Sequence, residues 1–211
     1  MEYALIVLFG LTILYISATS RLEVYINCLF IQGMLLFLLI LLTMHDADIP
    51  VLLLLILETL GLKAILVPWF LRYIIRSNHI YREAEASLPH FYSVVLTTMI
   101  FIFSFFVAWW STRLPDTPET VYFGVSIAVV LNGLLIILTR HKIITHVMGF
   151  MIVENGTFLL SLAVAREMPL IVNLGILLDI FVAVFLLGIM VTRIRSTFEE
   201  LDIDMLTTLK D

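Results

Sequence analysis

Four ionisable residues interrupt long apolar stretches of the chain, and their types could support chemistry. They are Glu58, Lys63, Glu154 and Asp179. A charged side chain at the centre of a bilayer costs about 2.5 kcal/mol or more to insert, so such residues face a bundle interior or a hydrated cavity. Burial favours the neutral form of a carboxyl group, and a nearby ammonium favours its ionised form. A carboxyl group balanced between these effects can take up and release a proton, so the pattern predicts a proton or ion relay.

The same acids also allow a structural interpretation. A protonated carboxyl group can hydrogen-bond to a neighbouring helix and simply hold the two helices together. For a single acid the two interpretations are about equally plausible. Here three acids, Glu58, Glu154 and Asp179, fall near the middle of their apolar stretches, with a lysine close by. That common depth favours the relay.

Lys63 follows Glu58 by five residues. On an α-helix this spacing places the two side chains about 140° apart. We therefore expect Lys63 to pair with an acid on another helix or subunit, or to extend toward the inner lipid headgroups. Pro68 removes a backbone hydrogen bond near Ala64 and predicts a kink close to Lys63. This kink is either a harmless packing feature or a supporting part of the site.

Other polar residues in the spans give weaker signals. His146 and Asn155 are possible supporting residues, although Asn155 points about 100° away from the acid that precedes it. Asn132, Asn27 and Gln32, like His146, are best explained as interhelical hydrogen-bond partners.

The composition defines the class of protein. Of 211 residues, 62% are hydrophobic and 14% are charged, whereas a soluble domain is nearer half apolar and a quarter charged. This excludes an ordinary soluble enzyme, a disordered chain and a disulfide scaffold. The 12 basic residues face 17 acidic ones, which argues against nucleic acid as a main partner. The remaining class is an all-α polytopic membrane protein with the lipid bilayer as its solvent.

Nothing in the chain predicts a cofactor or a catalytic residue of its own. The single Cys28 cannot form an internal disulfide or hold an iron–sulfur cluster. The five histidines have no spacing suited to a metal or a haem. We therefore expect no metal site in this chain.

Seven apolar stretches predict about seven transmembrane helices, because backbone groups in lipid must be satisfied within the segment. They run approximately from Tyr3 to Ser20, Val24 to Met44, Ile49 to Ile75, Pro89 to Trp110, Thr120 to Thr139, Ile143 to Ala165 and Met168 to Thr192. Residues 1–76 form a first membrane half of three helices, and an inner polar loop spans residues 77–88. Residues 89–192 form a second half of four helices, and residues 193–211 a cytoplasmic tail.

The basic residues predict the orientation. Nine of them fall on the side shared by the C-terminus and the loops after spans one, three and five: Arg21, Arg72, Arg76, Arg82, Arg140, Lys142, Arg193, Arg195 and Lys210. The opposite side has two, Arg113 and Arg166. This bias puts the N-terminus outside and the C-terminus inside.

Spans two and three also resemble spans six and seven, which suggests a parallel internal repeat. Arg21 and Arg140 precede the two pairs, and the second helix of each pair contains an acid, Glu58 or Asp179.

The C-terminal part, residues 120–211, resembles the small three-helix subunit of respiratory complex I and its relatives in cation/proton antiporters. The likeness lies in Met148-Gly149-Phe150, Glu154-Asn155, the acid of the last span, Arg193 to Arg195, and Leu201-Asp202-Ile203-Asp204. In that subunit two acids belong to a hydrophilic axis. Asp179 corresponds to the second of them, and Glu154 lies three residues beyond the position of the first.

The whole chain resembles the hydrogenase-4 component E family. The similar segments are Gly61 to Pro68, Val153 to Thr157, Leu178-Asp179 and Leu201 to Lys210. The resemblance implies a membrane-arm subunit of an energy-converting nickel–iron hydrogenase or formate hydrogenlyase-type complex in the inner membrane of a prokaryote. Its neighbours would be antiporter-like membrane subunits, and partner subunits would hold the nickel–iron site and the iron–sulfur clusters. The alternatives are a subunit of a cation/proton antiporter and a structural spacer in the membrane arm.

Overall fold

A computed structural model describes residues 2–43, 49–77, 89–112 and 118–164, all within the first of two compact units, Met1–Val172. These residues form six helices. They are α1 (Glu2–Ser17), α2 (Leu22–Thr43), α3 in three consecutive parts (Ile49–Ile56, Leu57–Leu66 and Val67–Ser77), α4 (His90–Thr112), α5 (Pro118–Thr139) and α6 (Ile143–Val164). The predicted seventh span, with Asp179, and the predicted tail lie outside the described residues.

The six helices coincide with the first six predicted spans to within a few residues. Five of them, α2 to α6, are long and apolar enough to cross a membrane. Helix α1 is also apolar, but at 16 residues it is shorter. The described chain is therefore that of a multi-pass, all-helical membrane protein, and the count of seven spans stays a prediction.

Three of the prolines lie at helix starts, where the missing N–H is tolerated. Pro118 is the first residue of α5, and Pro50 is the second of α3. Pro89 immediately precedes α4, and its carbonyl accepts a hydrogen bond from the Ser93 N–H at 3.2 Å. The sequence thus marks these three boundaries with residues that fit the first turn of a helix.

Helix α2 occupies the centre of the arrangement. It packs against α1 on one side and α3 on the other, and it also contacts α6. Helix α5 packs against α6, α4 and α1. Large side chains of α1 and α2, among them Phe9, Ile13, Leu36 and Leu39, are completely buried between these elements.

Glycines allow α5 and α6 to approach closely. A Cβ atom on Gly133 would lie 2.9 Å from the Val153 backbone nitrogen and 3.0 Å from the Gly149 carbonyl oxygen. A Cβ atom on Gly156 would lie 2.9 Å from the Val130 backbone nitrogen. Lipid supplies little hydrophobic drive for helix association, so backbone contact at small residues is a main source of packing energy. These contacts fix α6, the helix that contains Glu154.

Contacts at the helix ends define the direction of the chain. Arg140, after α5, donates to the Thr19 carbonyl oxygen after α1 at 3.4 Å, and Tyr122 near the start of α5 donates to Glu2 at 3.5 Å. Helices α1 and α5 are therefore parallel. Arg72 near the end of α3 donates to Asn27 near the start of α2. The ends of α1, α3 and α5 thus lie together, and the side of the membrane that they face stays a prediction.

Arg140, which the sequence analysis used to assign the orientation, is buried. Only 3% of Arg140 is exposed, and its guanidinium lies 5.9 Å from the centre of the Tyr25 ring. It therefore joins three segments at this end of the bundle instead of facing solvent. The internal repeat, for which Arg140 was one mark, stays a prediction because Asp179 lies outside the described residues.

We expect Gly133→Ala to destabilise the protein by about 1–3 kcal/mol, because the added methyl group would overlap the α6 backbone. Gly61→Ala is the matched control, since the nearest atom to its methyl group would be Leu57 Cδ1 at an ordinary 3.6 Å. Unfolding of both variants in detergent micelles measures the difference. Equal loss of stability in the two variants would contradict the close approach of α5 and α6.

Candidate functional site

Three of the four predicted relay residues meet in one buried cluster. The Lys63 Nζ atom lies 3.6 Å from Glu58 Oε1 and 3.5 Å from Glu154 Oε1. The exposed fractions are 4% for Glu58, 6% for Lys63 and 8% for Glu154. The cluster thus places an ammonium between two carboxyl groups, one on its own helix and one on α6. The expectation that Lys63 pairs with an acid on another helix is confirmed.

The local backbone explains how Glu58 also reaches Lys63. The expected separation of about 140° assumed an α-helix, and that assumption was wrong because Leu57–Leu66 is a π-helix. In a π-helix the N–H of residue i+5 donates to the carbonyl oxygen of residue i. The Val67 N–H donates to the Leu62 carbonyl oxygen in this way at the end of the segment. The wider turn brings residues five positions apart onto one face. Glu58 and Lys63 are such a pair.

Pro68 lies two residues after the end of this π-helical segment. Its ring has no N–H to donate to the preceding turn, which weakens α-helical hydrogen bonding just ahead of it. The kink that the sequence predicted here stays a prediction. The structure shows a change in hydrogen-bond register over Leu57–Leu66. A short π-helical segment within an α-helix often marks a functional site.

Lys63 does not extend toward the headgroups. Its Nζ atom lies 4.6 Å from the centre of the Phe158 ring on α6. The negative face of an aromatic ring attracts a cation, most strongly when both are removed from water. Phe158 was not singled out from the sequence. Its spacing of four residues after Glu154, which places both on one face of α6, is the signal that could have found it.

A second set of buried polar groups begins beside Glu154. Asn155 Nδ2 donates to Gln32 Oε1 on α2 at 3.1 Å, and Gln32 Nε2 donates to Thr12 Oγ1 on α1 at 2.8 Å. The Thr12 hydroxyl in turn donates to the Phe9 carbonyl oxygen at 2.6 Å. Gln32 thus makes the interhelical bonds that the sequence suggested. Asn155 contacts α2, which agrees with its expected direction away from Glu154.

The other polar candidates have separate roles. His146 Nε2 lies 2.6 Å from the Arg140 carbonyl oxygen, which ties the start of α6 to the preceding loop. At 1.5 Å per residue, His146 lies about 12 Å along the helix from Glu154. Asn132 Nδ2 donates at 2.8 Å to the Ala128 carbonyl oxygen of its own helix. The predicted supporting role of His146 in the cluster stays a prediction.

The charges of the three central groups determine what they can do. A lysine ammonium and two carboxylates sum to one negative charge, and protonation of either carboxyl group makes the set neutral. A net charge in an apolar interior is strongly disfavoured. Within this set a proton can be held by either carboxyl group, and Glu58 and Glu154 lie at nearly equal distances from the ammonium, 3.6 and 3.5 Å. This arrangement suits a proton that passes between two sites.

No metal centre accompanies this cluster in the part of the chain that the structure describes. Within those ranges there is no group of three or more His, Cys, Asp or Glu residues that could hold a metal ion. The buried Cys28 is a free thiol. Asp179, the fourth predicted relay residue, lies outside the described residues.

We expect Lys63→Met to reduce the stability of the protein by about 3–5 kcal/mol, because it removes the cation that lies 3.5–3.6 Å from two buried carboxyl groups. Adding Glu154→Gln should recover part of this loss, because it removes one of those carboxyl groups. Arg21→Gln removes an exposed cation and serves as the control. Unfolding in detergent micelles compares Lys63→Met, Glu154→Gln, the double variant and the control. Strictly additive effects of Lys63→Met and Glu154→Gln would contradict the ion pair.

Comparisons with known proteins give a distant but broad likeness. No family model matches the chain, and no solved structure matches it. The chain is 29% identical over 153 residues to an uncharacterized protein of Mycobacterium tuberculosis, covering 72% of this chain and 70% of that protein.

It is also 28% identical over 149 residues to hydrogenase-4 component E of Escherichia coli K12, covering 70% of this chain and 68% of that protein. The component E of Shigella flexneri matches to the same extent. These matches support the resemblance to hydrogenase-4 component E drawn from the sequence. The likeness of the C-terminal part to the complex I subunit stays a prediction.

Proposed function

We propose that this protein is a membrane-arm subunit of a complex I-like, energy-converting hydrogenase or formate hydrogenlyase complex. Within it, the protein contributes Glu58, Lys63 and Glu154 to a proton or ion relay near the middle of the membrane. The observation that carries this proposal is the Lys63 ammonium held at 3.5–3.6 Å from two buried carboxyl groups on different helices.

The energetic cost of buried ion pairs and the unusual hydrogen-bond register of α3 both favour a relay over simple helix packing. A buried ion pair is seldom more stabilising than well-packed apolar side chains of similar volume. Ionisable residues within membrane spans are therefore functional candidates by default. Here the pairing also requires a rare π-helical register, which stability alone does not demand. Asp179 on the predicted seventh span would be the next carboxyl group of the same row.

The redox step belongs elsewhere in the proposed complex. Partner subunits would hold the nickel–iron site and the iron–sulfur clusters, and this chain would contribute no redox centre. Antiporter-like membrane subunits would lie beside it in the inner membrane of a prokaryote. The distant likeness to hydrogenase-4 component E supports membership of such a complex.

We expect Glu154→Gln, Glu58→Gln and Lys63→Met to lower ion translocation by the assembled complex at least about tenfold, because each removes a group that holds or steers the proton. Hydrogen evolution from an artificial electron donor should continue, since the redox centres lie on other subunits. Vesicles containing the complex, with a pH-sensitive dye inside and a hydrogen electrode outside, measure both quantities.

Glu23→Gln is the matched control, because Glu23 is an exposed acid in the first turn of α2. Unchanged translocation in all three cluster variants would overturn the relay. Loss of assembly without a translocation defect in the complexes that remain would instead identify a structural spacer. Ion exchange by the purified single chain in vesicles would favour the antiporter.

A further inference from the structure

Two consecutive residues of α2 contact the two helices that contain the Lys63–Glu154 pair. Gly33 lies against the backbone of Lys63 and Ala64, and Gln32 accepts a hydrogen bond from Asn155, the residue after Glu154. We propose that Gln32 and Gly33 are positioning residues that set the separation between the Lys63 ammonium and the Glu154 carboxyl group. The effect of these two residues on translocation rests on the proposed relay. Their effect on the Lys63–Glu154 distance can be tested without measuring translocation.

Gly33 positions the lysine side. A Cβ atom on Gly33 would lie 2.7 Å from both the Cα and the backbone nitrogen of Ala64 and 2.9 Å from the carbonyl carbon of Lys63. Real Cβ atoms do not approach backbone atoms this closely. Helix α2 therefore presses directly on the π-helical segment at the residue that supplies the ammonium, and only glycine permits this distance.

Gln32 positions the glutamate side. The Thr12 hydroxyl donates its proton to the Phe9 carbonyl oxygen and must therefore accept from the Gln32 amide nitrogen. This fixes which end of the Gln32 amide faces α1, and its oxygen is left to accept from Asn155 at 3.1 Å. Gln32 is completely buried and Asn155 is 4% exposed. The bond therefore constrains the rotation of α6 in a place without competing water.

That rotation determines where Glu154 points. Successive residues of an α-helix lie about 100° apart, so holding Asn155 against α2 directs Glu154 to another face of α6. The Lys63 side chain meets it there at 3.5 Å. By the same geometry, Gln32 and Gly33 face different neighbours of α2. One short stretch of α2 thus contacts both α3, which contains Lys63, and α6, which contains Glu154.

The separation matters because proton transfer and ion pairing depend steeply on distance. A displacement of about 1 Å by a residue far from the reacting groups can lower a rate about a hundredfold. Helix α3 packs on α2 and reaches Glu154 through the long side chain of Lys63. A change in the contacts between α2 and α3 would therefore directly change the distance between Lys63 and Glu154.

The test uses the full chain in lipid nanodiscs and the infrared absorption of its carboxyl groups. The Glu154 band is assigned by its loss in Glu154→Gln. We expect Gln32→Leu and Gly33→Ala to shift this band, because both alter the distance to the ammonium. In the assembled complex, the same variants should lower translocation about tenfold and move its pH midpoint by about one unit, which corresponds to a tenfold change in proton affinity.

Two further variants keep the test informative if those proteins fold poorly. Thr12→Val removes only the outer hydrogen bond to Gln32, and we expect a smaller shift of the same band. Gly124→Ala is the packing control, because its methyl group would meet the Phe105 ring at 3.0 Å between α4 and α5. We expect it to lower stability and leave the Glu154 band in place.

An unshifted band in Gln32→Leu, Gly33→Ala and Thr12→Val would overturn the proposal, as would an equal shift in Gly124→Ala. Failure of the relay itself gives a different result. In that case Glu154→Gln leaves translocation unchanged, while the band still reports whether α2 positions Glu154.

Discussion

The burial of the Lys63 ammonium between two carboxyl groups is the interaction on which the rest of the site depends. An ammonium in an apolar interior is tolerated only when it is paired. The π-helical hydrogen bonding over Leu57–Leu66 contributes to this pairing, since that register brings Glu58 alongside Lys63. Helix α6 contributes Glu154 and Phe158 from one face. Each of these contacts depends on the Lys63 ammonium.

The packing of the bundle follows from the same environment. Helices surrounded by hydrocarbon gain little from burying apolar side chains against one another, so close backbone contact and interhelical hydrogen bonds contribute more. Gly133 and Gly156 let α5 meet α6, and Gly33 lets α2 meet the π-helical segment. The hydrogen bonds from Asn155 through Gln32 to Thr12 join α6, α2 and α1. The helices around the cluster are thus held by contacts that leave little freedom in its geometry.

The charge balance links this geometry to the proposed function. One ammonium and two carboxyl groups are neutral with a single added proton, and that proton has two sites at similar distance from Lys63. The distant likeness to hydrogenase-4 component E supports the proposed place of this cluster in a membrane subunit of a hydrogenase complex.

The sequence by itself determined the environment, the helices and the identity of the central residues. Apolar stretches must become helices in lipid, and Glu58, Lys63 and Glu154 are recognisable because charges are costly there. Only the tertiary structure decided how they meet. No periodicity in the sequence encodes the π-helical register of Leu57–Leu66 or the close contact of Gly33 with Ala64. The burial of Arg140 and the ring of Phe158 over the ammonium were likewise decided by neighbours distant in sequence.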